Sequence, residues 1–233
     1  MKTLTVELFS DVLCIWAYSA QVRIDQLKID YSTRITLQYR FIPVFAAAHE
    51  RIEQDWGTRG SFEGFNRHLH KLASRWEHVS LHPGVWLEDA PRSSTVAHLY
   101  LKAIQLLEET GEISCEPLMA CDNRTLFEEF LWRVRCAFFE KSLNVARIRV
   151  LDELCAGLDL PQNRIHELVD TGVAHARLHR DTEARDRYQI PGSPTLVFNE
   201  GRQRLYGNVG YRIIDANIRE LLDDTHHTGA SWC

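Results

Sequence analysis

Thr3-Leu4-Thr5-Val6-Glu7-Leu8-Phe9-Ser10-Asp11-Val12-Leu13-Cys14-Ile15-Trp16-Ala17-Tyr18-Ser19-Ala20 changes its hydrophobic period within a few residues, and that change decides the fold class. From Thr3 to Phe9 the residues alternate, Leu4, Val6 and Leu8 on one face and Thr3, Thr5 and Glu7 on the other, as a strand does. From Trp16 onward the apolar positions Trp16, Ala20, Ile24 and Leu27 recur three and four apart, the period of a helix. Ile35, Leu37, Tyr39 and Phe41 then alternate again. A strand, a crossover helix and a second strand make parallel neighbours in one sheet, joined by a right-handed connection.

Beyond Pro43 the strand signals stop and helical stripes follow. They run over Phe62 to Trp76, then Val96, Leu99, Tyr100, Ala103 and Leu106, then Phe127, Phe130, Leu131, Val134 and Phe138, then Ile148, Leu151, Cys155 and Leu158. Ser93 or Ser94 stands where a cap for the second stripe belongs, and Asp122 or Asn123 where the third begins. Pro161 opens a further short helix. Pro194 to Phe198 reads as a strand, Asn199-Glu200-Gly201 as a turn, Arg204 to Tyr206 as a second strand and Ile213 to Leu222 as a closing helix, with a polar tail from Thr225. The order is β-α-β, a helical block, then β-β-α, with no repeat. It predicts an α/β protein in which residues 1–45 and 176–233 form one sheet domain and residues 46–175 a large all-helical insertion.

The 233 residues are 45% apolar and 25% charged with a formal net charge of −5, the composition of an ordinary globular chain able to bury a large core. No basic footprint meets a phosphate backbone, which argues against a nucleic-acid partner. The apolar runs fall far short of the roughly 18 residues of a membrane-spanning helix, so no membrane partner is expected. Lys2, the apolar residues after it and Ala17-Tyr18-Ser19-Ala20 imitate a secretion signal, but Glu7 and Asp11 interrupt the apolar stretch, and a cytoplasmic location is expected instead. Six cysteines, Cys14, Cys115, Cys121, Cys136, Cys155 and Cys233, are too few for a disulfide scaffold in a chain of this length.

Cys14 carries the most chemistry. It falls between the first strand and the helix that begins near Trp16, where unpaired backbone N–H groups and the helix dipole can lower a thiol from about 8.5 to about 3.5–7.5. The alternative is a small apolar residue filling a buried turn. Ile190-Pro191-Gly192-Ser193-Pro194-Thr195 is the second feature, because a proline at the start of a strand is constrained and Ser193–Pro194 is a candidate for the cis form. Cys155, on a stripe with Ile148 and Leu151, and Cys136, between Trp132 and Phe139, occupy packing positions. Cys115 and Cys121 frame a loop without histidines at ligand spacing, and no metal site is expected there or at His226-His227 with Cys233. Cys233 is an incidental thiol or a partner for Cys14. Trp56, Trp76, Trp86 and Phe62 either form the core of the helical block or line a pocket.

Together these features resemble the DsbA-like proteins of the thioredoxin superfamily. Asp11, Val12, Cys14, Trp16 and Tyr18 match the turn D-V-x-C-P-W-C-Y of the FrnE-type dithiol-disulfide isomerases. Gly192-Ser193-Pro194-Thr195 is similar to that family's loop G-V-P-T, whose proline is cis and faces the nucleophilic cysteine. The insertion falls where the family places its own, so the resemblance covers essentially the whole chain. It implies a thioredoxin-like fold, Cys14 as the catalytic nucleophile, Asp11 and Tyr18 supporting the turn, and Ser193 and Pro194 positioning the substrate backbone.

The chain departs from that pattern at Ile15, in place of the family's proline, and at Ala17, in place of its resolving cysteine. Without sulfur at position 17 the turn cannot close a C-x-x-C disulfide. The leading reading is therefore a monothiol oxidoreductase or isomerase whose substrate is a disulfide-containing protein or a small thiol. A second is a glutathione-dependent transferase or isomerase. The chain more distantly resembles kappa-class glutathione transferases and 2-hydroxychromene-2-carboxylate isomerases, which carry one catalytic residue, usually serine, at the place of Cys14. A third is a redox-inactive binding protein on the same fold. No covalently bound cofactor is implied, glutathione enters as a cosubstrate, and a homodimer is left open.

Overall fold

The computed structural model describes residues 3–223; Cys233 and the His226-His227 pair lie outside the described residues. Leu4–Ser10 forms β1, Ile15–Tyr31 forms α1 and Ile35–Phe41 forms β2, and the two strands pair in parallel from Leu4 opposite Ile35 to Ser10 opposite Phe41. Late in the chain, Thr195–Phe198 (β3) pairs antiparallel with β1, Gln203–Tyr206 (β4) antiparallel with β3, and Tyr211–Asp223 (α9) follows. The sheet order is β2-β1-β3-β4, so both ends of the chain share one sheet with β1 at its centre.

Between them lie α2 (Ala48–Trp56), α3 (Ser61–Ala73), α4 (Thr95–Glu109), α5 (Leu126–Phe139), α6 (Ile148–Ala156), α7 (Gln162–Asp170) and α8 (Val173–Arg187). Helix α4 is buried almost all round, from Ala97 to Ile104 and again at Leu107, and α5, α6, α7 and α8 pack against it. A helix buried on every side belongs in a core, and its buried polar residues, His98 and Lys102, each have a partner there. Among the described residues no helix is long and apolar enough to cross a membrane.

Two helices, α2 and α8, escape the hydrophobic pattern. The inward residues of α8 are Ala174, Leu178, Asp181 and Ala184, one large apolar side chain and a carboxylate, and those of α2 are Ala48 and Ile52. The carboxylate is inward for a reason. Asp181 accepts the Phe41 N–H at 2.8 Å and pairs with the buried Lys102 ammonium at 2.5 Å, while Arg40 donates to Glu7 at 2.8 Å. These contacts tie α8 to α4 through Lys102 and to β2 through Phe41, and Arg40, which also reaches Asp181 at 3.4 Å, is the partner of the buried Glu7.

One cap differs from expectation. Helix α5 is capped by Thr125 rather than by Asp122 or Asn123: the Thr125 hydroxyl accepts from the Glu128 N–H and the Glu128 carboxylate from the Thr125 N–H, a reciprocal capping box. Asp122 and Asn123 take left-handed backbone in the preceding loop. At α4 the two serines share the role: Ser94 holds the cap position, and the Ser93 hydroxyl accepts the Thr95 N–H at 3.1 Å.

Candidate active site

The chain from Asp11 to Cys14 connects β1 to α1 and is buried throughout. Cys14 takes the cap position of α1 with extended backbone, φ −86° and ψ 115°, and its carbonyl accepts the N–H groups of Ala17 and Tyr18 at 3.1 and 3.0 Å. Its thiol is 6% exposed and donates to the Ser193 carbonyl at 3.3 Å. The Asp11 N–H donates to the Ser193 hydroxyl at 2.9 Å. Ser193, distant in sequence, is thus tied to the turn twice. The Ser193–Pro194 bond is cis, and the buried Pro194 directs its carbonyl to the Gly207 N–H at 2.9 Å.

Asp11 organises what surrounds the thiol. Fully buried, it accepts the Leu13 N–H at 2.8 Å on one oxygen, and on the other the Phe45 N–H at 2.9 Å and the Ser94 hydroxyl at 2.8 Å. One carboxylate therefore joins the turn, the loop after β2 and the start of α4. It also explains why the Ser94 hydroxyl turns away from its own helix, whose first N–H, on Thr95, is taken by Ser93 at 3.1 Å. His98, one turn along α4, accepts the Val12 N–H at Nε2, 3.3 Å away, and stacks on Phe41.

Burial holds the His98 imidazole below its ordinary value against the opposing pull of Asp11, so the ring is neutral, as its acceptor role requires. A histidine that binds protons more weakly when folded contributes stability that is complete above the unfolded value, about 6.5, and is lost as pH falls from there toward the folded value. In urea titrations His98 is expected to contribute a loss of up to about 1.4 kcal/mol per pH unit below pH 6.5. His98→Gln, whose amide oxygen still offers Val12 an acceptor, should flatten that slope; equal slopes for the two proteins would contradict the assignment. His68, also held low by its burial and by Arg59, Lys71 and Arg75, contributes to both and cancels.

The electrostatics of Cys14 overturn one expectation. Burial pushes the thiol up from its ordinary value and the Asp11 carboxylate adds to the rise, while the Ser193 side chain and the backbone of Ala17 and Trp16 oppose it. The helix terminus is present, but desolvation of a closed turn outweighs it, and Cys14 rests as a thiol rather than a thiolate. Ile15 and Ala17 are buried beside it. Tyr18 stacks between Phe139 and Trp132, with ring centroids 4.8 and 5.5 Å away, and donates to Glu140 at 2.5 Å. Burial and Glu140 push its phenol well up, so Tyr18 fastens α1 to α5 and keeps its proton.

A cavity of about 600 Å³ opens beside the thiol. Cys14, Trp16 and Ser193 line it, Phe45, Trp56 and Phe65 supply apolar surface, and Arg51 and Arg185 bring positive charge beside the carboxylate of Asp55. Of the four aromatic residues singled out in the helical block, Trp56 lines this cavity, Trp86 is in the core, Trp76 packs edge-on against Trp16 and Phe62 against His49. Helices α2 and α8 supply Arg51, Trp56 and Arg185, which is why periodicity did not point to them. Cys155 is fully buried, Cys136 is held up by burial and Glu140, and Cys115 and Cys121 lie in the loop before α5. Among the described residues no group of three His, Cys, Asp or Glu side chains is placed to hold a metal ion.

The architecture is the DsbA-like thioredoxin fold with a helical insertion, as solved structures show. The chain is similar to the probable DsbA oxidoreductase from Streptomyces coelicolor, with 15% identity and a TM-score of 0.69 over 97% of this chain and 93% of that one. It is similar to 2-hydroxychromene-2-carboxylate isomerase, with 14% identity and a TM-score of 0.61 over 95% of this chain and 100% of that one. It is similar to the cytosolic disulfide reductase DsbM from Pseudomonas aeruginosa, with 19% identity and a TM-score of 0.58 over 93% of this chain and 99% of that one. The coverage on both sides makes the insertion part of the shared fold. No family model matches the sequence, and no curated protein sequence does.

Proposed function

We propose that the protein is a DsbA-like thiol-disulfide oxidoreductase or isomerase that works through Cys14 alone. The observation that carries this reading is the Cys14 thiol on the wall of a cavity, bonded to the Ser193 carbonyl, with alanine where a second thiol would stand. In the reaction Cys14 gives up its proton and attacks one sulfur of a substrate disulfide. The substrate S–S bond breaks, a bond from Cys14 to that sulfur forms, and the other sulfur leaves with the electron pair as a thiolate. An external thiol, glutathione as cosubstrate, then attacks the substrate sulfur of the mixed disulfide and returns Cys14 as thiolate. The protein ends unchanged and the substrate has exchanged one partner.

The size of the cavity is that of small-molecule sites, which favours glutathione or a short mixed disulfide over an extended peptide. The neighbouring disulfide reductase and DsbA oxidoreductase support the substrate kind, and a cytoplasmic location fits the thiol cosubstrate. The second reading, a glutathione-dependent isomerase or transferase, is favoured by the aromatic wall and by the isomerase neighbour. There Cys14, held protonated by burial, donates a hydrogen bond to the glutathione sulfur instead of attacking.

Incubation with oxidised glutathione followed by peptide mass spectrometry separates the two. Exchange predicts one glutathione on Cys14, removed by excess reduced glutathione. An adduct on the exposed Cys115 with none on Cys14 would rule exchange out, and glutathione binding measured by calorimetry would then support the second reading.

A further inference from the structure

Arg135, on α5 of the insertion, is fully buried, and among the described residues its hydrogen-bond partners are neutral. Nη1 donates to Gln21 at 2.6 Å, Nη2 donates to Ser10 at 3.2 Å, and Nε has no partner. A guanidinium stays charged at every accessible pH, and a charge buried without a carboxylate in contact is costly. Its two anchors locate it. Ser10 ends β1 just before the turn, and Gln21 lies on α1, the helix that Cys14 caps. The positive charge is therefore fixed between the strand end that leads into the thiol turn and the helix that leaves it.

The ionisable groups whose charge acts on Arg135 are, strongest first, Tyr39 of β2, Cys14 of the turn, Asp25 of α1 and Asp11 of the turn. Three of these are committed elsewhere. Tyr39 donates to Glu128 at 2.9 Å and is pushed up by burial, Asp25 pairs with Arg124 at 2.9 Å, and Asp11 holds its three donors. Facing the turn from α4 is the neutral His98, and the cavity side brings Arg51, Asp55, His68 and Arg185. Cys14 is the member of this set whose charge must change during exchange.

We propose that Arg135 is a positioning residue for Cys14, its buried charge stabilising the thiolate that attacks and the thiolate set free when the mixed disulfide opens. This rests on the exchange reading above. It also accounts for a charge buried with neutral hydrogen-bond partners, and for how a desolvated thiol ionises at a helix terminus too closed to ionise it alone.

The test is the pH dependence of Cys14 alkylation by iodoacetamide, read on the Cys14 peptide by mass spectrometry in the full chain. Arg135→Met is expected to raise the Cys14 midpoint by about one pH unit, about tenfold slower labelling at pH 7. Arg135→Lys, which keeps the charge, should stay near the parent; a merely structural role would move both variants alike. Gln21→Glu sets a carboxylate on the guanidinium at almost unchanged side-chain volume and is expected to raise the midpoint as well, which keeps the test open if Arg135→Met fails to fold. An unshifted midpoint in a folded Arg135→Met or Gln21→Glu protein overturns the proposal and leaves exchange at Cys14 standing. A parent protein whose Cys14 resists alkylation up to pH 10 overturns the exchange reading itself, and the role of Arg135 with it.

Discussion

Asp11→Ala is expected to lower the unfolding free energy by about 3–5 kcal/mol in urea titration at pH 7. The Asp11 carboxylate takes bonds from the Leu13 N–H, the Phe45 N–H and the Ser94 hydroxyl in a site closed to solvent. Each buried donor left unsatisfied costs about 1–3 kcal/mol, and the range given sits below the full sum because water can enter the space the side chain vacates. Asp11→Asn distinguishes the carboxylate from its shape. Both oxygens accept, so an amide must turn its NH2 toward donors on one side, and a loss nearly as large is expected. The same substitution should have the opposite effect on the thiol. Asp11 raises Cys14, so removing its charge lowers the alkylation midpoint of whatever fraction remains folded. A loss of stability under about 1 kcal/mol would show that the carboxylate does not hold the turn together.

Much of this was legible in the residues, and the boundary of legibility is physical. Leu4–Ser10, Ile15–Tyr31 and Ile35–Phe41 declare themselves because a central strand pair and its crossover helix bury large side chains at fixed periods. Helix α8 does not, since its inward stripe is alanine, one leucine and an aspartate whose partners, Lys102 and the Phe41 N–H, come from α4 and β2. The Thr125-x-x-Glu128 capping box was readable as a motif, but the loop residues Asp122 and Asn123 competed for the same role. Asp11 stood out beside Cys14, yet Phe45 and Ser94, its partners 34 and 83 positions away, are set by tertiary docking. Arg135 shows the same limit more sharply. An arginine on a helix reads as solvated surface until the helix is seen to place it against Ser10 and Gln21. The elevated thiol follows from burial, and local sequence encodes the helix dipole but not how tightly the rest of the chain closes over it.

Ala17→Cys is expected to turn the monothiol site into a dithiol one and to shorten the lifetime of a Cys14–glutathione mixed disulfide at least about a hundredfold. Position 17 lies in the same turn as the reacting atom, since the Ala17 N–H donates to the Cys14 carbonyl at 3.1 Å. A thiolate placed there attacks the Cys14 sulfur of the adduct; the bond to glutathione breaks, a 14–17 disulfide forms, and glutathione leaves as thiolate, so the protein is oxidised by two electrons as glutathione is reduced. Release then no longer waits for a second molecule, and the gain is that of an intramolecular over a bimolecular step. The added sulfur enters a buried position, which costs about 1–3 kcal/mol if the core does not adjust. Adduct half-life by mass spectrometry, with the loss of two titratable thiols on treatment with oxidised glutathione, checks the outcome. An unchanged half-life would mean that the turn built around Ile15 holds position 17 out of line with the Cys14 sulfur. The departure from a dithiol site would then lie in backbone geometry as well as in the missing sulfur, and the Cys14 cycle would depend wholly on an external thiol.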